Sequence, residues 1–317
     1  MSQNRVIEAQ LRDTLREAVN ILHEMGLHGS RRTSTSSISP DAFHECLSLC
    51  TRALHRNPEP VRTIHHVACS GGTLIVKCLA AMPNMLVLNE IDPLSQLGFN
   101  LRQPAFRPTD ILSLVREGDH LVSDDLLIKL FLESLAALHK EMTASGRRLL
   151  LRDHSHSHFF AGSSIARRPS LHTILQSRFS TISIVTVRNP VDSFLSLIQS
   201  EWMHFSAARF DEYCFRYHAF LDEHAGVPIF KYEHFVSEPL AEAKRMCECL
   251  GLSYSDAFIE TFDFFAFSGD SGRTGNVIEP RPRRPLDDAF LDIANRSRQY
   301  EKLAARLGYE RQCPVAC

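Results

Sequence analysis

Apolar residues fall along the chain in two patterns. Short runs rich in apolar and β-branched residues occur at 61–68, 85–88, 148–152 (RLLLR), 181–187 (TISIVTV) and 227–232. Runs of that length without alternation predict strands buried on both faces. Between them, apolar residues recur at three- and four-residue spacing and predict helices over 74–81, 123–145, 191–200, 207–224, 236–250 and within 286–307. In the 123–145 segment Leu127, Leu130, Phe131, Leu135 and Leu138 share one face. Pro83-Asn84, Gly146, Asn189-Pro190 and Gly251 punctuate the pattern as breakers and caps. Strands alternating with helices predict an α/β fold with a central, mostly parallel sheet covered on both faces.

The pattern changes before residue 58. Val6, Ile7, Leu11, Leu15, Ala18, Val19 and Leu22 predict a helix over 6–27, stopped by Gly26 and Gly29. Residues 29–40 (GSRRTSTSSISP) read as a flexible linker, and 41–55 as a second helix. Asn57-Pro58-Glu59-Pro60 then separates this N-terminal helical arm, residues 1–57, from an α/β domain, residues 58–317. The arm is expected to pack on its own domain or on a twin subunit, so a homodimer through the N-terminal helix is the partner it suggests. Residues 92–108 are irregular and Pro-containing, a candidate loop over a site.

Composition narrows the class. Hydrophobic residues make up 44% and charged residues 23%, ordinary for a globular chain with a core. A net charge of −2 gives no global attraction to nucleic acid or acidic lipid, so any anion site must be local. Nine scattered cysteines without a CxxC pair point to reduced thiols and a cytoplasmic setting. The N-terminus lacks the apolar core of a secretory signal, and no apolar run is long enough to span a bilayer.

The candidate chemistry lies at strand ends. Cys69-Ser70-Gly71-Gly72-Thr73 forms a tight turn between a strand and a helix starting near Leu74. Backbone N–H groups and the helix dipole make such a turn a site for phosphate or sulfate, which Ser70 and Thr73 hydroxyls can join. The same residues also suit a tight βα connection that needs small side chains. The GxxxxGK[ST] pattern of a nucleotide loop is absent, since Thr73 follows Gly72 and the nearest lysine is Lys77. Arg188 ends the 181–187 strand, with Ser196 in the next helix. Together they suit a phosphate, although Arg188 could instead pair with Asp192. Arg152 ends RLLLR, and His154, His156 and His158 follow at alternate positions. On an extended strand those histidines share one face, as metal ligands or as pocket and surface residues; the latter is favoured because no Cys or carboxylate has matching spacing. In an open parallel sheet, ligands bind at the C-terminal strand ends, where all these groups fall.

SIVTVRNPVDSFLSL resembles the 3′-phosphate segment of sulfotransferases that use 3′-phosphoadenosine 5′-phosphosulfate (PAPS): a strand, an Arg, and a Ser eight residues later on a helix. CSGGT resembles that family's 5′-phosphosulfate loop, in the same order and at a fitting distance. Tyr232-Glu233-His234-Phe235 is similar to a further family segment, and the likeness covers about 61–285, nearest to tyrosylprotein-type and related bacterial members. It implies a P-loop NTPase-like three-layer fold. It implies sulfuryl transfer from PAPS, as co-substrate, to a hydroxyl or amine acceptor on a small molecule, glycan or peptide, with no metal. By the family's spacing, SGGTL to Asn89-Glu90 makes Glu90 the general base, with an ordinary solvated carboxylate as the alternative. LLLRDH resembles the segment carrying the stabilising cation, which implies Arg152, with His154 facing the reaction centre. Cys69, Ser70, Gly71, Gly72, Thr73 and Leu74 would hold the 5′-phosphosulfate, and Arg188 and Ser196 the 3′-phosphate. SGRTGNVIEP resembles the cofactor-closing loop and implies Arg273 there. Of Arg281, Arg283 and Arg284, at least two are expected to be a solvated basic stretch.

One position departs from the resemblance. The Lys or Arg that opens the family's 5′ loop is Cys69 here. The missing charge would have to come from Arg152, Arg273 or Lys77. The departure keeps open a non-catalytic nucleotide-binding protein on the same fold. A P-loop-type kinase is the remaining alternative, and the absent GK[ST] opposes it.

Overall fold

A computed structural model describes residues 58–97, 108–118, 121–205, 209–269 and 277–311. The predicted arm (1–57), most of the 92–108 loop and Arg273 lie outside the described residues. In chain order the elements are β1 (Val61–His66), α1 (Gly72–Ala80), β2 (Met85–Ile91), α2 (Ile111–Arg116), α3 (Asp124–Ala144), β3 (Arg148–Asp153), α4 (Ser155–Phe159), β4 (Ala161–Gly162), α5 (Leu171–Gln176), β5 (Thr181–Val187), α6 (Pro190–Gln199), β6 (His204–Phe205), α7 (Phe210–Glu223), β7 (Ile229–Lys231), α8 (Tyr232–Ser237), α9 (Pro239–Leu250), α10 (Phe258–Thr261), α11 (Asp288–Arg296) and α12 (Arg298–Leu307). A single 3-10 turn at Phe262–Phe264 follows α10.

Five strands form one sheet in the order β2-β3-β1-β5-β7, with every neighbouring pair parallel. β4 and β6 pair separately. Helices cover both faces, which is why the strands are apolar on both sides. Ile64, Leu150, Ile184 and Phe230 pack on one face against α1, α9 and α10. Leu149 and Leu151 turn to the other face against α3 and α5, and Val185 and Val187 to that face against α6, α7 and α12. The face changes with each residue, as the pleat requires.

Local chemistry sets the helix boundaries. Ser123 accepts from Leu126 N and starts α3, and Asn189 accepts from Val191 N and starts α6 with Pro190 at its first position. Gly251 and Gly308 end α9 and α12 in the left-handed conformation.

Two expectations are corrected and one helix is added. The predicted 236–250 helix is two helices, because Pro239 cannot continue α8 and forces Glu238 out of helical geometry, at φ −133° and ψ 63°. Residues 171–176, unassigned in the sequence, form α5, capped by Ser170. His156 and His158 lie on helix α4 and His154 is its N-cap, so the three histidines do not share a strand face.

Candidate active site

The turn after β1 is built from unusual backbone. Cys69 has φ 61° and Gly71 φ 82°, both left-handed. This lets the chain reverse tightly and enter α1, which has no side-chain cap at its N-terminus. Both glycines are demanded by space as well. A Cβ on Gly71 would lie 2.1 Å from the Tyr232 ring, and one on Gly72 2.4 Å from the His66 ring. Ser70 is fully buried and donates to Val67 O at 2.7 Å, so its hydroxyl braces the turn. The first-turn backbone amides of α1 are left as the donors an anion would meet.

Arg188 follows β5 directly. Its Nη1 donates to Cys69 O at 3.1 Å and to Ser196 Oγ at 3.4 Å, and its guanidinium lies 5.0 Å from the Tyr232 ring centre. The alternative pairing with Asp192 is not formed, because Asp192 binds Arg283 at 3.0 Å instead. Glu233 accepts from Asn189 N at 2.8 Å and from Tyr309 Oη at 2.7 Å, clasping the start of α6 to the chain end.

Arg152, at the end of β3, is buried and saturated with partners. It donates from Nε to His66 Nε2 at 2.7 Å, from Nη1 to Asn89 Oδ1 at 2.8 Å and Ser268 O at 3.0 Å, and from Nη2 to Thr73 Oγ1 at 2.9 Å. Nη2 also lies 3.3 Å from Glu90 Oε1. Glu90 has φ 55° and sits where the β2–β3 register shifts between Leu88 and Ile91. Such a bulge re-aims side chains at a sheet edge. Here it leaves the Glu90 side chain 25% exposed beside a cation that is 4% exposed. Burial and the adjacent Arg152 hold the His66 imidazole well below its ordinary value, so it is neutral.

These groups, brought from four strand ends, surround one cavity of about 750 Å³. Cys69, Gly71, Gly72, Thr73 and Leu74 form one wall, Arg188 and Ser196 a second, and Glu90, Arg152 and His154 a third. Ser70 lies behind the turn and outside the wall. His156 also lines the cavity, whereas His158 turns away and donates to Ala166 O at 3.1 Å. Burial pushes the Cys69 thiol up to about 11, and its Sγ makes a long hydrogen bond to Ser200 Oγ, at 4.0 Å. That is the opposite of an activated nucleophile. Arg281, Arg283 and Arg284 are exposed as expected, yet all three reach the cavity rim. Sequence reasoning missed His66, Tyr232, Trp202 and His204 as wall residues. Only Tyr232 carried a signal, through its place in the Tyr-Glu segment.

No family model matches the chain, and neither does any curated protein. Solved structures similar to it include the sulfotransferase domain from the curacin biosynthetic pathway, at 16% identity and TM-score 0.47 over 81% of this chain and 100% of that one. The sulfotransferase domain of the Synechococcus PCC 7002 olefin synthase is similar at 16% identity and TM-score 0.47, over 82% of this chain and 98% of that one. A sulfotransferase from Alicyclobacillus acidocaldarius is similar at 14% identity and TM-score 0.42, over 80% and 97%. Each of the three is a sulfotransferase or a sulfotransferase domain. The likeness is of chain path, and the chemistry below rests on this chain's own residues.

Proposed function

We propose that residues 58–317 are a sulfotransferase domain that moves the sulfuryl group of PAPS onto a hydroxyl-bearing acceptor. The observation that carries this reading is the meeting of two anion-suited sites in one cavity. The uncapped N-terminus of α1 lies on one wall, and the Arg188–Ser196 pair, more than a hundred residues later, lies on the next. A nucleotide with phosphate at both 5′ and 3′ positions needs two such sites. Gly71 and Gly72 let the Tyr232 and His66 rings pack directly against this turn, where a Cβ on either glycine would clash with them.

In this reading Glu90 accepts the acceptor's hydroxyl proton as the oxygen attacks sulfur, and the bond from sulfur to the 5′-phosphate oxygen breaks. The bisphosphate departs with the electron pair. Arg152 faces that developing charge, held in place by His66, Asn89, Ser268 and Thr73 before the reaction begins. His154 stands on the same wall and would orient the acceptor. No step calls on a metal.

A second reading, a non-catalytic nucleotide-binding protein, is favoured by Cys69, which supplies no charge at the turn. Calorimetric titration with adenosine 3′,5′-bisphosphate, alongside ATP, tests the shared site in wild type and Arg188→Ala. The proposal expects tight binding without Mg²⁺ that the variant loses. No bisphosphate binding, or a preference for Mg-ATP, sinks it. Turnover with PAPS, abolished in Glu90→Ala, then separates the catalytic from the binding reading.

A further inference from the structure

Successive residues on parallel strands point to opposite faces of the sheet. His66 and Arg152 meet on one face, toward the proposed reaction site. Their neighbours His65 and Asp153 meet on the other, where His65 Nδ1 lies 2.7 Å from Asp153 Oδ2. His224, the C-cap residue of α7, joins them with its ring centre 4.3 Å from that of His65. All three side chains are buried, at 0%, 5% and 3% exposure. One ligand-type atom from each lies within 4.8 Å of the other two.

We propose that His65, Asp153 and His224 form a binding site for a divalent first-row transition ion, typified by zinc, that ties β1, β3 and α7 together. Three observations carry it. First, His224 Nδ1 donates to Phe220 O at 2.8 Å, so the neutral ring leaves Nε2 with a lone pair. That nitrogen is buried and has no hydrogen-bond partner among the described residues. A buried acceptor without a donor is costly, and a backbone-oriented imidazole with its other nitrogen open is the form that ligates metal.

Second, His65 Nδ1 and Asp153 Oδ2 are already held 2.7 Å apart in the interior, with Nε2 of the same ring 2.8 Å from Thr63 Oγ1. In the metal-free protein the Nδ1 proton bridges imidazole and carboxylate, and a divalent ion takes its place by displacing that proton to solvent. Third, among the described residues no Lys or Arg forms an ion pair with Asp153, whose Oδ2 receives only the Ser155 hydroxyl besides His65. Buried carboxylates are ordinarily paired or bound to metal.

Two imidazoles and one carboxylate are a recurrent set for zinc with an open fourth position. Ligand atoms around a tetrahedral ion lie roughly 3.3 Å apart. Binding therefore opens the 2.7 Å His65–Asp153 contact slightly and draws His224 inward by side-chain rotation. Half-buried His172, with its ring 5.4 Å from His65 and 5.5 Å from His224, flanks the site on the solvent side. Its nitrogens lie against Ser183 and Gln176, so it stands outside the ligand set.

The test uses the full chain, stripped with dipicolinate and titrated with Zn²⁺ by calorimetry and with Co²⁺ by visible absorption. One ion per chain is expected, with Co²⁺ bands of a nitrogen–oxygen site and a melting temperature several degrees higher at about 100 times Kd. His224→Leu gives up the Nδ1 bond to Phe220 O, so it should melt a few degrees below the wild type without metal, and it should lose both stoichiometric binding and the further rise in melting temperature that metal gives the wild type. If that variant does not fold, the wild-type titration still decides, and absent stoichiometric binding overturns the site. Binding that survives His224→Leu but disappears in a His156→Ala, His204→Ala double variant places the ion in the cavity and also overturns it.

Discussion

Arg152 donates its Nε–H to Nε2 of His66 at 2.7 Å, and His66 Nδ1 donates to Val67 O at 3.0 Å. The imidazole is thereby a neutral acceptor, one of several groups that fix the guanidinium. It is also the ring that Gly72 is small enough to admit. A cation meant to meet developing charge acts best when it need not reorganise, and this bond supplies part of that order.

His66→Ala should therefore leave a buried guanidinium N–H unpaired and destabilise the fold by about 1–3 kcal/mol. His66→Gln, whose amide oxygen can accept, should recover part of the loss. Urea denaturation of the three proteins checks this. Equal stability of the Ala and Gln variants would show that only ring volume matters.

Gly71 and Gly226 share φ 82°, yet a Cβ on Gly71 meets Tyr232 at 2.1 Å, while one on Gly226 meets nothing within 4 Å. Gly226→Ala should cost only the left-handed backbone penalty, about 1–2 kcal/mol, and leave bisphosphate binding intact. Gly71→Ala adds displacement of the Tyr232 ring, on which Arg188 lies, and should weaken bisphosphate binding at least about tenfold. Denaturation midpoints and calorimetry separate the two effects. Equal loss of binding in both variants would mean that the turn acts only through global stability.

Much of this arrangement was legible in the chain. TISIVTV is β5 with the predicted bounds, because the run is rich in β-branched residues and Arg188-Asn189-Pro190 closes it sharply. Asn189-Pro190 marked the start of α6 through cap chemistry that acts over a few residues. The 236–250 segment misled because its apolar spacing runs through Pro239 without a change of period. The histidines at 154, 156 and 158 misled in the other direction. Alternation suggested a strand, but β3 ends at Asp153 and the chain turns into α4. The His66–Arg152 and His65–Asp153 contacts were not readable at all. They depend on β1 and β3 pairing with Ile64 opposite Arg152, a register set by packing of the whole sheet.

Buried neutral histidines set a pH dependence with a definite sign. Burial holds His66 well below 6.5 and His156 at about 3, so neither takes a proton that the unfolded chain takes at 6.5. Their contribution to stability is complete above pH 6.5 and is lost as pH falls, by about 1.4 kcal/mol each at pH 5.5. In metal-free protein His65 and His224, both lowered to about 3 chiefly by burial, act in the same sense. Asp153, raised to about 6 chiefly by burial, opposes them by taking up one proton in the folded state. Four groups outweigh one. Denaturant midpoints measured with chelator present should fall steadily from pH 7 to pH 5, and a flat profile would mean that these rings are hydrated.

Cys69 combines a strained backbone with an inert thiol. Its φ of 61° is unfavourable for a residue with a Cβ, and burial pushes the thiol up to about 11. The thiolate is the reactive form, so alkylation by iodoacetamide at pH 7.5 should be far slower at Cys69 than at an exposed cysteine of ordinary acidity, and should accelerate only on unfolding. Cys69→Gly relieves the left-handed strain, worth about 1–2 kcal/mol, but loses the packing of a side chain that is 8% exposed. The two terms nearly cancel, so melting should shift little. Binding of adenosine 3′,5′-bisphosphate should also persist, because in this turn the Cys69 carbonyl, and not the thiol, contacts Arg188. Rapid alkylation of the folded protein, or loss of bisphosphate binding in Cys69→Gly, would instead assign the sulfur a direct part in the site.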